Sequence, residues 1–306
     1  MKIHSYNEWE RVREITVGIA TNANWPSSDP VFSTEHENTA WHESPVPSGP
    51  VPQWIIDETN EDLQGLVEIL ENSGATVNRP SDLDFPRIGG MYNYCPRDRL
   101  IIAGDTVIDV AMMYPCRDQE IHALEQVWLY HKKILTMPRN QHMICDAANI
   151  CRLGDKWLFL ESRSGNRAAA DWLTQQFPEI DIHVCDFYGG VHIDSTIAPL
   201  REGVVMLNAS RVTESNCPGI FDGWDKIWIT DVVEQGFYQY PWASKWIAMN
   251  VLSIDPSTVI VDADQIGIIT ELERRKFTVV PHRLRHSRTL GGGFHCVTLD
   301  TWREND

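Results

Sequence analysis

Positive charge is scarce in this 306-residue chain: 26 Lys and Arg stand against 43 Asp and Glu, a formal net charge of −17. Nucleic acid and anionic membrane surfaces both need a basic footprint, so neither is expected as a partner. A small cationic ligand suits such a chain, although an acidic, solubilising surface accounts for most of the imbalance. No apolar run reaches the ~20 residues of a membrane span. The opening residues, Met1 to Glu8, lack an apolar h-region, so no secretory signal is expected and the cytoplasm is the expected compartment. The seven cysteines (Cys95, Cys116, Cys145, Cys151, Cys185, Cys217 and Cys296) are odd in number and form no Cys-x-x-Cys pair. That argues against a disulfide framework and against a structural zinc site, and for a reducing compartment with one special thiol.

What is present is an ordinary hydrophobic fraction of 42%, enough for a sizeable core. Residues 12–20 alternate as a first strand. Residues 22–53, rich in Pro, Ser, Asn and Glu, read as an ordered surface loop pinned by Trp25 and Trp41. Residues 57–74 form the clearest helix, with Leu63, Leu66, Val67 and Leu70 on one face, acids at its start and Gly74 at its end. Residues 75–79 follow as a strand, then hairpins around Gly104-Asp105 and Gly154-Asp155. Helices are expected over 118–133, 168–177 and 267–276, and strands over 181–187, 203–207, 226–232, 249–254, 258–261 and 278–282. Cys296 is expected on a last strand. Short strands, often as hairpins, punctuated by single helices make a repeated α/β unit rather than strict βαβ alternation. No linker divides the chain, so one domain over residues 1–306 is expected.

Near the C-terminus, Leu290-Gly291-Gly292-Gly293-Phe294-His295-Cys296 places three glycines before a cysteine. Glycines allow close approach of another group, which a cysteine nucleophile needs beside it. A buried, inert cysteine is the commoner reading of a thiol taken alone. Four further motifs accompany it: Tyr94-Cys95-Pro96-Arg97-Asp98, Cys145-Asp146-Ala147-Ala148-Asn149, Gly189-Gly190-Val191-His192-Ile193-Asp194-Ser195-Thr196, and the stretch from Trp242 through Ser244 to Asn250. Each has a plain structural alternative. Asp98 and Asp146 suit turn or cap positions, His192 a packed core histidine, and Ser244 a helix start. Taken together they match one chemistry. A thiol needs a neutral-pH acid/base such as histidine. Carboxylates orient a planar guanidinium, and an arginine such as Arg97 or Arg211 suits a substrate carboxylate.

These motifs, with Ser5-Tyr6-Asn7-Glu8-Trp9-Glu10, Ser244-Lys245-Trp246-Ile247-Ala248-Met249-Asn250-Val251-Leu252 and Val261-Asp262-Ala263, resemble the amidinotransferases of the guanidino-group-modifying (pentein) superfamily nearly end to end. The resemblance implies an α/β fold, a five-bladed α/β propeller with a pseudo-fivefold repeat of hairpin-plus-helix units around a central channel. It implies Cys296 as nucleophile, His192 as general acid/base and Asp146 as its carboxylate partner. Asp98 and Asp194 would contact the donor's guanidinium or amino end, Arg211 and Ser244 its carboxylate end, and Arg97 would be structural. The substrates implied are arginine and an amine acceptor, with no metal and no organic cofactor. A homodimer is implied by resemblance alone.

The chain departs from the family in four places. The stretch between Lys133 and Cys145 is shorter than in the arginine:glycine enzymes, Asn149 stands where they carry an acid, Ala243 stands where they carry a second serine, and the loop before His192 is shorter. These segments border the family's substrate channel, which leaves the acceptor open. It is either an amine larger than glycine or water, the latter giving a hydrolase that releases citrulline. A non-catalytic guanidino-compound binder would lack the cysteine, histidine or aspartate, and all three are present.

Overall fold

The computed structural model describes residues 1–37, 45, 47–129, 131, 133–139, 142–190 and 192–304, the side chains of 35 and 37 excepted. Trp41 and Val191, both singled out above, lie outside the described residues. Among those described, five three-stranded sheets share one plan, an antiparallel pair joined by a parallel third strand. Strand β1 (Arg11–Val17) is followed by a small ribbon of β2 (Asn24–Trp25) and β3 (Gly49–Pro50) flanking α1 (Pro30–Glu37). Helix α2 (Gln53–Asn72) then crosses to β4 (Thr76–Asn78), parallel to β1. After the short α3 (Phe85–Ile88), β5 (Leu100–Ala103) and β6 (Thr106–Asp109) form a hairpin, and α4 (Glu125–Trp128) precedes the parallel β7 (Ile134–Thr136). The third sheet is β8 (Ile150–Arg152), β9 (Lys156–Leu160), α5 (Arg167–Gln176) and β10 (Asp181–Cys185). The fourth comprises β11 (Ile197–Arg201), β12 (Val204–Asn208) and β13 (Asp225–Ile229). The fifth is β14 (Leu252–Asp255), β15 (Thr258–Asp262), α6 (Ile266–Arg274) and β16 (Thr278–His282). Past α7 (Ser287–Leu290), β17 (Thr298–Glu304) returns to pair antiparallel with β1 and completes the first sheet.

Packing explains where the elements form. Helix α2 turns Ile55, Leu63, Leu66, Val67 and Leu70 inward against Val12, Ile15 and Val17 of β1. Each such side chain stabilises the fold by about 1.5–3 kcal/mol relative to exposure. The helix starts at Gln53, four residues before the expected Asp57, so its first turn holds no acid. The apolar period, not the charge pattern, locates it.

Three expectations are corrected. The region 22–53 is not loop throughout: Asp29 accepts hydrogen bonds from the N–H groups of Val31 (2.8 Å) and Phe32 (3.2 Å), starting α1. Trp25 does pin the segment, buried and stacked on Tyr238. Residues 118–133 are mostly not α-helix but a 3₁₀ segment, Pro115–Leu124, before the single turn of α4. In a 3₁₀ turn, residues i and i+3 eclipse, and Arg117 grips both oxygens of Glu120 at 2.8 Å in that register. Cys296 is not on the last strand; it lies in the turn that precedes β17. Strands β7 and β11 were not expected. Three residues are too few to show a period, and Pro199 disguises β11, which tolerates it as an edge strand with a register shift.

Candidate active site

The turn entering the first hairpin strand, or its counterpart, carries a chemically marked residue in every sheet. Asp98 ends the 3₁₀ turn Pro96–Asp98 before β5, and Asp146 precedes the turn Ala147–Asn149 before β8. His192 and Asp194 precede β11, Ser244 starts the turn Lys245–Met249 before β14, and Cys296 precedes β17. Five sheets of one plan thus bring scattered motifs together.

The thiol of Cys296 is 2% exposed. Its backbone N–H donates to Asn250 Oδ1 at 2.9 Å, and Sγ lies 3.2 Å from Asp194 Oδ2. Two of the three glycines do different work. Gly291, at φ +82°, ends α7 in the left-handed conformation that favours glycine. Gly292 is needed for contact: a Cβ there would meet Cys95 Sγ at 2.5 Å, Tyr94 Cε1 at 3.0 Å and Cys296 Cβ at 3.2 Å. The close approach is therefore taken by a second thiol, not kept for a substrate. Gly292→Ala is expected to lower stability by about 1–3 kcal/mol, read by thermal melting, and to cut activity beyond the unfolded fraction by shifting Cys296. A variant matching the parent in both would show that the contact yields freely.

His192 Nε2 sits 3.0 Å from Asp146 Oδ2, and Nδ1 is 3.8 Å from Asp98 Oδ1. Asp146 occupies a cap position yet makes no capping bond; its other oxygen accepts the Met113 N–H at 2.8 Å. The carboxylate is thus committed to the imidazole. Asn149, where an acid was expected by resemblance, holds the loop: its Oδ1 accepts from His192 N (3.1 Å) and Ser164 Oγ (2.9 Å), and its amide donates to Leu160 O (3.1 Å). This grip fixes His192 at φ +58°, a conformation rare outside glycine. Asp98 receives Arg117 Nη1 at 2.7 Å on Oδ2, while Oδ1 is buried with no hydrogen-bond partner among the described residues.

Electrostatics follow from burial and these pairs. Burial opposes the charged form of His192, but the charge of Asp98 and the contacts with Asp146 and Cys296 outweigh it, raising its pKa well above the ordinary value. The Cys95 thiol, burial and Asp194 together push the Cys296 thiol up, with His192 pulling the other way. Burial also raises Asp98, only partly offset by His192 and Arg117. Asp194, despite burial, is lowered by His295.

A cleft of about 470 Å³ opens over this group, lined by His192, Asp194, Cys296, Arg211 and Ser244 among others. Asp98 and Asp146 lie beneath His192 rather than on the wall. Arg211 donates to Thr196 Oγ1 (2.7 Å) and Ser195 Oγ (3.2 Å), stacks over Tyr188 at 4.2 Å, and reaches Ser244 Oγ at 3.5 Å. Ser244 also accepts from Trp246 N–H, so it starts a helix as its structural reading holds and faces the cleft as well. Arg97 points away, pairing with Asp300 and donating to Thr298 O at 2.9 Å.

All seven candidate residues therefore belong to one cleft and its floor. Sequence reasoning assigned nothing to Asn250, His295, Cys95, Glu8 or Arg117. The first four lie inside the quoted motifs, His295 next to the nucleophile candidate itself. Arg117 has no sequence signal, because its pairing with Asp98 is made across the fold.

No protein-family model matches the chain. Whole-length relatives do. The chain is 37% identical to inosamine-phosphate amidinotransferase 1 of Streptomyces glaucescens, covering 97% of this chain and 96% of that one. It is 27% identical to the L-arginine:L-lysine amidinotransferase of Pseudomonas savastanoi pv. phaseolicola, covering 98% and 94%. Its structure superposes on inosamine-phosphate amidinotransferase from Streptomyces griseus with a TM-score of 0.91 at 33% identity, covering 99% and 97%.

Proposed function

Since the chain belongs to the amidinotransferase family, we propose that it moves the amidino group of L-arginine to an acceptor amine through a covalent amidino-cysteine on Cys296, releasing ornithine. The observation that carries this reading is the cluster itself: a thiol, an imidazole held by a carboxylate, and two further carboxylates within one cleft. One acid beside the thiol and two more around the imidazole favour a planar cation. Asp98 Oδ1, buried without a hydrogen-bond partner, suits an N–H of that cation. Arg211 and Ser244 take the donor's carboxylate. The five sheets we read as the blades of a propeller forming one domain, an arrangement supported by β14 lying against both β1 and β11, and β17 against β5.

Chemistry then follows from protonation. The resting Cys296 favours the thiol; a guanidinium beside it supplies the opposite charge that favours the thiolate, and the thiol proton leaves to water as arginine binds. Sulfur attacks the guanidinium carbon, and the imidazolium of His192 gives its proton to the departing nitrogen as the C–N bond breaks. Ornithine leaves as a neutral amine and is protonated in water; the amidinium stays on sulfur and His192 is neutral. An acceptor arriving as a free amine attacks that carbon, His192 takes the proton its nitrogen sheds, and the thiolate is expelled. The two half-reactions are each other's reverse, the ping-pong form of covalent catalysis. No step in this scheme uses a metal or an organic cofactor. No helix among the described residues is long and apolar enough to cross a membrane.

Incubation with arginine and a panel of amines, single amino acids and amino sugars among them, tests the reading. Ornithine together with one amidinated amine is the expected product pair. Citrulline would overturn the transfer in favour of hydrolysis, and neither product would remove arginine as donor.

A further inference from the structure

His295 precedes the thiol by one residue and lies between two acids, its side chain 12% exposed. Its Nδ1 lies 2.9 Å from Asp194 Oδ2 and its Nε2 3.2 Å from Glu8 Oε2. A neutral imidazole has a single N–H, so its other nitrogen would set a lone pair against an ionised carboxylate oxygen at one of these distances. The geometry therefore favours a proton on both nitrogens and a cationic ring. Its far partner cannot turn away: Arg152 donates to Glu8 Oε1 and Oε2, each at 2.9 Å, and continues to Asp300 at 2.8 Å. Its near partner is the acid 3.2 Å from the thiol. Asp194 lines the reaction cleft on one side and, with Glu8 and His295, a small cavity behind it on the other. Arg97 also faces His295, its Nε–H pointing at the His295 carbonyl from 3.4 Å.

We propose that His295 is a positioning residue for the donor half-reaction: clamped as an imidazolium between Glu8 and Asp194, it keeps Asp194 ionised and turned toward Cys296, ready for the guanidinium. The inference rests on the reading above, in which Asp194 meets the donor. The lowered proton affinity of Asp194 and the raised one of His295 agree with it.

Two conservative substitutions separate this role from mere packing. An Asn at 295 places an amide N–H near the Nδ1 position, on the Asp194 side; a Gln extends toward the Nε2 position, on the Glu8 side. Neither carries charge. His295→Gln is expected to raise the KM for arginine about 10–100-fold, the loss of a hydrogen bond to a charged group, and His295→Asn to raise it less. In both, the acid limb of kcat/KM for arginine moves to higher pH. Removing a cation beside a carboxylate raises that carboxylate's pKa, so Asp194 takes its proton earlier as pH falls. Glu8→Gln, which keeps the shape and removes the charge that holds the second proton on His295, is expected to move the limb in the same direction and serves if the His295 variants fail to fold. Equal KM values for the Asn and Gln variants with an unmoved acid limb, or an unmoved limb in Glu8→Gln, would overturn the inference while leaving amidino transfer intact. A parent protein that releases no ornithine from arginine would instead sink the reading it rests on.

Discussion

Cys296→Ala is expected to release no measurable ornithine from arginine, a fall of at least ~10⁴-fold, the scale on which loss of a covalent nucleophile is felt. The neighbouring groups supply no substitute. Cys95, the other thiol at this spot, lies behind Cys296 and does not line the cleft that Cys296 lines, so it does not face the substrate. The alanine variant should still bind arginine, because the acids and Arg211 are untouched, and it should melt near the parent. The parent, given arginine without an acceptor, should gain the mass of one amidino group on the peptide containing Cys296. Turnover by the alanine variant, or the added mass on another residue, would refute the assignment.

Asp146→Asn should be nearly as damaging, ~10²–10⁴-fold in kcat, through the proton rather than the shape. The Met113 N–H can only donate, so the asparagine must keep its carbonyl oxygen there and turn its NH₂ toward His192 Nε2. That nitrogen then has to accept, the ring is held in the neutral tautomer protonated at Nδ1, and the departing amine loses its acid. The pH profile supplies the second check. A general acid works while protonated, and activity falls as pH rises through its pKa. In the parent, Asp98, Asp146 and Cys296 hold the pKa of His192 high, which places the alkaline limb above the ordinary histidine range. Without the Asp146 charge the limb should move to lower pH. A variant with the parent's alkaline limb would assign control of the His192 proton to Asp98 alone.

Legibility in the sequence followed interaction range. The hairpins at Gly104-Asp105 and Gly154-Asp155 and the apolar face of α2 are written in neighbouring residues, and all three stand in the structure. Strand β11 is hidden by Pro199, and the 3₁₀ segment by an Arg117–Glu120–Asp98 network closed only in three dimensions. The site shows the same division. Cys296, His192, Asp146, Asp98 and Asp194 were marked because each sits in a short polar motif ahead of a strand, and their roles came from family resemblance. Glu8 and His295 are 287 positions apart, and no local pattern joins them. His192 likewise owes its backbone conformation to Asn149, the residue that departs from the family pattern.

The placement of one or two candidate side chains ahead of each sheet has an evolutionary corollary. Loss of any one unit removes part of a cluster that all five supply. The crossovers between second and third strands differ in length and content from sheet to sheet, yet they carry Met113 and Arg117, which hold Asp146 and Asp98, and Arg211 on the cleft wall, so a rewritten crossover reaches the site from outside the sheets.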